Sequence, residues 1–238
     1  MGYKLGFIGA GHMGGALAQA VAKKITGNQM IISDKDGSKA KELAGILGCD
    51  VGLSDELIAE SKYVVIGVKP QNIAELFEEC AQVIRNSHDR KVFVTMAAGV
   101  KISRIWELAG ESVPVIRIMP NTPVAVGEGC VLYTYDGGVT NEELADFLNS
   151  MEYAGKFIEM PEELIDAGCA ISGCGPAFVY QFIMALAKAG EICGLPREIA
   201  LLLAEQTAMG SAKLAIDSGE DPAALCDHVC SPGGSTIE

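Results

Sequence analysis

Three glycines near the N-terminus have the spacing of a loop that binds a dinucleotide. Gly9, Gly11 and Gly14 directly follow an apolar run and open a stretch with helical periodicity, and this context makes the spacing informative. The first glycine permits a tight turn, the second lets the backbone approach a pyrophosphate, and the third lets helix and strand pack closely. The free N–H groups of the helix N-terminus then hold the phosphates. The predicted cofactor-binding residues here are Ile8, Gly9, Ala10, Gly11, His12, Met13 and Gly14.

The residues after the second predicted strand are placed to contact the adenosine ribose. Asp34 follows Gly14 at the distance at which an acid usually meets that ribose, and an acid favours a free 2′-hydroxyl. Ser33 and Lys35, on either side of it, could instead hold a 2′-phosphate. On these residues alone the choice between NAD and NADP stays open.

Three further strand ends carry small or proline-containing segments. These are Val68-Lys69-Pro70, Ala97-Ala98-Gly99, and the motif Met119–Pro123 with Asn121 at its centre. Each one alone could be an ordinary turn. Ligands of open α/β sheets bind outside the carboxyl ends of the strands, however, and small residues let a flat ring approach the backbone. We therefore predict that Val68, Lys69, Pro70, Ala97, Ala98 and Asn121 contact the cofactor.

Two glycine-containing segments lie in the second half of the chain. Ser172–Pro176 opens a predicted helix, and Ser231–Thr236 places hydroxyls on both sides of a Pro-Gly-Gly turn. Backbone N–H groups of such a turn can form a cradle for a carboxylate. From spacing alone, a solvent-exposed turn near the terminus is the simpler interpretation of Ser231–Thr236.

The order of the predicted elements indicates the architecture that positions these segments. Short apolar runs alternate with helical periods up to about residue 160, which predicts a parallel sheet covered by helices. Beyond Pro161 the pattern is almost wholly helical, so we place a domain boundary near residue 160. The predicted strands cover residues 3–8, 30–32, 63–68, 92–96 and 115–119. The predicted helices include residues 38–47, 72–84, 102–108, 161–170, 176–193, 196–216 and 222–229.

Two apolar segments in the second half of the chain must be buried by other parts of the protein. Ala167–Ala187 contains no charged residue, but glycines and Pro176 interrupt it, so we interpret it as a loop followed by a buried helix rather than a membrane span. The helix that begins after Pro196 is apolar on more than one side, as Ile199 and Leu201–Ala204 show. Such a helix must be buried all round. We therefore predict burial against a second subunit.

Composition excludes some partners. With Lys+Arg 18 and Asp+Glu 31 the net charge is −13, whereas proteins that bind polyanions need a basic surface. We expect neither a nucleic-acid nor a membrane partner. The chain has 8 cysteines but no CxxC pair, which favours a reduced, cytoplasmic protein. Cys226, His228 and Cys230 offer only three metal ligands with no second cluster, so no metal site is expected.

Six segments together resemble the pyrroline-5-carboxylate reductase family: GFIGAGHMGGAL, GVKPQ, MAAGV, MPNTP, SGCGPAF and SPGGSTIE. They occur in the family's order over the whole chain. The resemblance implies a Rossmann dinucleotide-binding domain at residues 1–160 and a helical dimerisation domain at residues 161–238. The helical domain would form a homodimer, and the resemblance also implies rings of such dimers. The implied activity is reduction of 1-pyrroline-5-carboxylate to L-proline, the last step of proline biosynthesis, with NADPH favoured and NADH possible.

The resemblance also implies roles for residues of the last segment. Ser231, Gly234, Ser235 and Thr236 match the loop that binds the substrate carboxylate, and Thr236 matches the hydroxyl that reaches the imine nitrogen. The three histidines, His12, His88 and His228, are spread along the chain, and we expect structural or surface roles for them.

The sequence departs from the family pattern in a few places. His12 stands where asparagine is usual, Cys174 where serine or alanine is common, and Cys230 where threonine or serine is common. The family continues beyond this loop with a final helix, so we expect this chain to lack it. Two alternatives stay open at this point. One is a related Rossmann imine reductase or β-hydroxyacid dehydrogenase, and the other is a non-catalytic dinucleotide-binding protein.

Overall fold

The computed structural model describes residues 2–87, 89–230, 233, 234 and 236. The chain divides after Pro176 into two units. The strands are β1 (Tyr3–Ile8), β2 (Met30–Ser33), β3 (Asp50–Val51), β4 (Ser61–Ile66), β5 (Val92–Thr95), β6 (Val115–Met119), β7 (Gly129–Tyr135) and β8 (Gly155–Glu159). The α-helices are α1 (His12–Ala22), α2 (Gly37–Leu47), α3 (Ser54–Glu60), α4 (Ile73–Glu79), α5 (Ala81–Asn86), α6 (Ile102–Ala109), α7 (Asn141–Ser150), α8 (Ile165–Ser172), α9 (Gly175–Ile192), α10 (Arg197–Ser218) and α11 (Pro222–Val229).

An eight-stranded sheet in the order β3-β2-β1-β4-β5-β6-β7-β8 forms the centre of the first unit. Both of its faces are covered, because alternate side chains of β4 enter different core clusters. Tyr63 and Val65 lie in one cluster, and Val64 and Ile66 lie in the other. A strand buried on both faces reads as a continuous apolar run. This Rossmann-type sheet confirms the predicted α/β fold class.

The parallel arrangement has one exception that the sequence analysis did not predict. Six neighbouring pairs are parallel, but β6 and β7 run antiparallel, with Ile118 opposite Tyr133. The strands that were predicted, β1, β2, β4, β5 and β6, are all parallel, whereas β3, β7 and β8 were not predicted. The connection from Pro120 to Glu128 is too short for a crossover helix, and a parallel pair requires a crossover.

Two predicted elements differ in their bounds from the structure. β4 stops at Ile66, because the chain turns at Gly67, whose N–H donates to the Ile8 carbonyl at 2.7 Å. The helix predicted over residues 72–84 is interrupted at Cys80, where ψ is 6°. The result is two short helices, α4 and α5, in place of one.

The uncharged segment Ala167–Ala187 was also interpreted incorrectly. The described backbone is helical to Ser172 and again from Gly175, so it contains no long loop before the second helix. Gly168 lies inside α8, where the helix packs closely against Leu132 and Met160. A Cβ there would lie 2.6 Å from Cδ1 of Leu132 on β7.

The helices of the second unit leave most of their apolar side chains exposed. In α9 only Ala187 is buried among its described residues, and Phe178 and Phe182 are more than half exposed. In α10, Ala200 and Ala204 are buried, whereas Leu202 is 60% exposed. The expectation that α9 is a buried helix does not hold within a single chain. By length and composition alone, Glu162–Ile192 and Arg197–Ser218 would be apolar enough to cross a membrane.

Candidate functional site

The glycine-rich loop lies at the carboxyl edge of three adjacent parallel strands. Ile8, the last residue of β1, pairs with Ser33 at the end of β2 and with Ile66 at the end of β4. The segments that follow these three strands therefore leave the sheet side by side. This is the edge at which open α/β sheets bind ligands.

Backbone packing explains two of the three glycines in the loop. Gly9 has a φ of +111°, and a Cβ there would lie 2.7 Å from the Gly67 carbonyl carbon. A Cβ on Gly14 would overlap the carbonyl oxygen of Gly9. Glycine is thus required at both positions by the close approach of α1 to β1 and of β1 to the turn after β4.

The third glycine fits a pyrophosphate rather than the packing of the chain. No heavy atom lies within 4 Å of the position where a Cβ of Gly11 would be. Gly11 is the N-cap of α1, no side chain caps that terminus, and its first turn contains no acidic residue. The N–H groups of this helix end are therefore available to an anion, and the open space in front of Gly11 accommodates one.

A cavity of about 510 Å³ extends from this loop along the ends of β2 and β4. It brings together eight of the predicted cofactor residues: Ile8, Gly9, Gly11, Ser33, Asp34, Lys35, Val68 and Lys69. Gly67, between β4 and Val68, also lines it. Sequence reasoning missed the remaining polar lining, because those residues carry no motif and reach the cavity only through the fold. They are Lys39, Ser54, Asn72, Glu75 and Glu79.

Asp34 is held by backbone donors of the site. One carboxylate oxygen accepts the Ala10 N–H at 2.6 Å, and the other accepts the Asp36 N–H at 2.8 Å. Asp34 therefore ties the glycine-rich loop to the segment after β2. Asp36 in turn caps α2 by accepting the Ser38 N–H.

Two polar pairs border the part of the cavity near Asp34. The hydroxyl oxygens of Ser33 and Ser54 are 3.1 Å apart. The Lys35 ammonium donates to Glu75 at 2.8 Å, and this hydrogen bond raises the pKa of Lys35. The lysine is therefore a permanent cation beside the position at which a Rossmann fold distinguishes a 2′-hydroxyl from a 2′-phosphate.

The other predicted cofactor residues lie outside the lining of this cavity. Ala97 is buried just after β5, Ala98 is exposed, and Pro70 opens a short 3-10 turn before α4. Within the glycine-rich loop, His12 is exposed and Met13 packs against the core.

Asn121 is buried, and its amide is engaged by the chain itself. Its side-chain oxygen accepts the Cys130 N–H at 2.8 Å, and its amide nitrogen donates to the Ser172 carbonyl at 2.9 Å. The side chain thus joins the segment after β6 to β7 and to the end of α8. Arg117 on β6, which sequence reasoning did not single out, is completely buried and donates to Asp166 of α8 at 2.9 Å.

The C-terminal segment is described only in part. Thr236 is exposed in a turn, Gly234 is half-buried, and Gly233 has a φ of +74°. Ser231 and Ser235 lie outside the described residues, as does His88. His228 lies 3.7 Å from Glu220. Within the described ranges, no three histidine, cysteine or acidic side chains are grouped as metal ligands.

Two family models match the chain. Residues 162–238 match "Pyrroline-5-carboxylate reductase dimerisation", and residues 4–99 match "NADP oxidoreductase coenzyme F420-dependent". The second match contains the glycine-rich loop and all of the cavity lining described above.

Curated relatives and solved structures match almost the whole chain. A pyrroline-5-carboxylate reductase of Arabidopsis thaliana is 36% identical, covering 99% of this chain and 85% of the relative. The enzyme of that name from Escherichia coli is 34% identical, covering 99% and 87%. A crystal structure of Plasmodium falciparum pyrroline carboxylate reductase with NADP bound has a TM-score of 0.85 and 30% identity, covering 99% and 87%.

Proposed function

The chain belongs to the pyrroline-5-carboxylate reductase family, and we propose that it reduces 1-pyrroline-5-carboxylate to L-proline with a hydride from NADPH. NADH is a possible second cofactor. The observation that carries the proposal is the cavity at the ends of β1, β2 and β4, with an open anion cradle at Gly11 and a lysine beside the ribose position. The match of residues 4–99 to an NADP oxidoreductase model supports NADP(H) as the cofactor.

Each part of the cavity has a proposed task in binding the cofactor. Gly11, His12, Met13 and Gly14 hold the pyrophosphate through their backbone at the start of α1. Gly9 and Ala10 shape the loop, because their N–H groups donate to the Ser33 carbonyl and to Asp34. Ser33, Asp34 and Lys35 contact the adenosine ribose and its 2′ group. Ile8, Val68, Lys69, Pro70, Ala97 and Ala98 contribute the remaining contacts. Asn121 keeps the segment after β6 in place through its hydrogen bonds to Cys130 and Ser172.

The substrate site is proposed from the family resemblance. Ser231, Gly234 and Ser235 bind the substrate carboxylate, and the Thr236 hydroxyl contacts the imine nitrogen. When bound, the nicotinamide supplies the hydride that reduces the C=N bond. The chain itself needs no nucleophile or metal for such a step, because cofactor enzymes contribute mainly binding, orientation and exclusion of water.

The second unit supports a homo-oligomer. We propose that the apolar faces of α9 and α10 are covered by a second copy of the chain in a homodimer, and that a ring of such dimers is the larger assembly. Residues 162–238 match a dimerisation model, and this favours a second copy over a membrane as the cover. In functional terms, residues 1–160 form the nucleotide-binding domain and residues 161–238 the helical substrate and dimerisation domain.

We propose the cytoplasm as the location. All eight cysteines are free, as expected for a reducing compartment. The charge of −13 supports the absence of a nucleic-acid partner.

A spectrophotometric assay tests the activity. The purified chain is mixed with NADPH or NADH and 1-pyrroline-5-carboxylate, and nicotinamide oxidation is followed together with L-proline formation. Turnover with the imine is expected. No oxidation of β-hydroxyacids is expected when NADP+ or NAD+ replaces the reduced cofactor. Turnover only with hydroxyacids would favour a dehydrogenase, and nucleotide binding without any turnover would favour a non-catalytic protein.

A further inference from the structure

We propose that Glu75 controls the cofactor preference of this enzyme by pairing with Lys35 and so weakening the attraction of that lysine for a 2′-phosphate. The inference rests on the proposed function, because it assumes that the cavity binds a nicotinamide dinucleotide. It assigns a role to a residue of α4 that belongs to none of the sequence motifs.

The pair joins two walls of the cavity that are far apart in sequence. Lys35 follows β2, and Glu75 lies in the first turn of α4. The ammonium nitrogen of Lys35 is 2.8 Å from a carboxylate oxygen of Glu75, and both residues line the cavity. The lysine therefore reaches a 2′-phosphate only by leaving or sharing this carboxylate.

Asp34 does not occupy the lysine in the same way. Both of its carboxylate oxygens accept backbone N–H groups, those of Ala10 and Asp36. Glu75 is thus the carboxylate that has the Lys35 ammonium as its hydrogen-bond donor.

The other charges of the cavity make this single pair important. The lining contains three lysines and three carboxylates: Lys35, Lys39, Lys69, Asp34, Glu75 and Glu79. Lys39 also has a carboxylate nearby, that of Asp36 at 3.9 Å. The lining therefore has no surplus of positive charge to attract a 2′-phosphate, which carries close to two negative charges. The binding of an uncharged 2′-hydroxyl does not depend on this charge balance.

Removing the charge of Glu75 should act on the two cofactors unequally. It frees the Lys35 ammonium and removes a like charge from the region of the 2′-phosphate, and neither change has a counterpart for NADH. Both side chains are exposed, at 75% and 54%, so water weakens the effect. A carboxylate about 6 Å from a doubly charged phosphate in water is worth roughly a fivefold to tenfold change in affinity.

The test compares Glu75→Gln with Glu78→Gln. Glu78 is exposed on the same helix but does not line the cavity, so it controls for the change in net charge. Dissociation constants for NADP+ and NAD+ are measured by calorimetry on the full chain, and kcat/KM is measured with NADPH and NADH. In Glu75→Gln, the preference for NADP+ over NAD+ should increase about fivefold. In Glu78→Gln it should change by less than about twofold.

A double variant identifies the mechanism. With Lys35→Gln already present, adding Glu75→Gln should increase the NADP+ preference by much less than it does in the wild type. An equal increase in affinity for both nucleotides in Glu75→Gln, or an undiminished gain in NADP+ preference when Lys35 is absent, would overturn the inference.

The same measurements separate this inference from the proposed function. A chain that binds both nucleotides but reduces no imine contradicts the proposed activity, while the ratio of dissociation constants still decides the role of Glu75. A chain that binds neither nucleotide contradicts both.

Discussion

Single side chains in this protein differ in whether they contact a ligand or hold a neighbouring segment. Asn121 lies in a motif that the sequence associates with the cofactor, yet its amide makes hydrogen bonds to Cys130 and Ser172 of the chain itself. Asp34 likewise holds the backbone at Ala10 and Asp36. Some predicted site residues therefore act by holding the backbone of the binding segments in place.

We predict that Asn121→Leu destabilises the protein. The substitution leaves the Cys130 N–H and the Ser172 carbonyl without their side-chain partner, and an unpaired buried polar group costs about 1–3 kcal/mol. Urea denaturation should show a loss of about 2–4 kcal/mol in the free energy of unfolding. Asn149→Leu on the exposed side of α7 is the control. If both variants lose the same stability, the amide of Asn121 does not have this role.

A second residue-scale prediction concerns the hydroxyl of Thr236. If it contacts the imine nitrogen, Thr236→Ala should reduce kcat strongly and leave the dissociation constant of NADPH nearly the same. Thr236→Ser retains the hydroxyl and should recover much of the lost turnover. Equal losses of turnover and of NADPH affinity in Thr236→Ala would contradict the assignment.

At the scale of elements, a capping box and an ion pair stabilise the N-terminus of α7. Thr140 and Glu143 form a capping box at the start of α7, and Arg90 donates to Glu143 at 2.6 Å. Together with the Arg90 guanidinium, the Thr140 hydrogen bonds lower the pKa of Glu143 to about 2, although partial burial opposes the shift. The ordinary value is 4.5.

This lowered pKa predicts a pH-dependent contribution to stability. A carboxyl whose pKa is lower in the folded state stabilises the protein above its ordinary pKa, and the contribution is lost as the pH falls toward 2. Glu143→Gln should therefore cost about 2 kcal/mol at pH 7, after allowance for the half-exposed Arg90. The difference from wild type should shrink between about pH 5 and pH 2.

Thermal unfolding across this pH range measures the effect. Glu142→Gln is the matched control, because Glu142 is exposed in the same first turn of α7. A cost for Glu143→Gln that is independent of pH would mean that the charge of Glu143 contributes little.

At the scale of the whole molecule, the two units differ in how they bury apolar side chains. The first unit covers both faces of its sheet with its own helices. The second unit exposes large side chains along α9 and α10, including Phe178, Phe182 and Leu202. Contiguous apolar surface of this kind marks a site of association.

We predict that Phe182→Lys shifts the protein toward monomers. A lysine placed in an apolar interface must be desolvated without a partner, which disfavours association. Sedimentation velocity at several protein concentrations measures the change. Gln82→Lys makes the related change at an exposed polar position of the first unit and should not alter the oligomeric state. A wild-type chain that sediments as a monomer would contradict the proposed dimer.

The sequence by itself determined the fold class, the boundaries of the strongest strands and the phosphate-binding loop. These depend on local signals: β1 and β6 are mostly apolar runs that match their predicted bounds, and glycine is the residue that permits the backbone of the loop at Gly9. Local backbone geometry depends on the types of neighbouring residues, so it can be predicted without knowledge of the fold.

Only the tertiary structure decided which distant residues share the cavity and how β7 pairs. Ser54 and Glu75 meet Ser33 and Lys35 because parallel strands bring segments from separate parts of the chain to one edge. The antiparallel pairing of β7 follows from a short connection rather than from its composition. The exposure of the apolar side chains of α9 could be determined only from the packing of the helices in its unit. An apolar sequence indicates that side chains are buried, but not whether the same chain or a second one buries them.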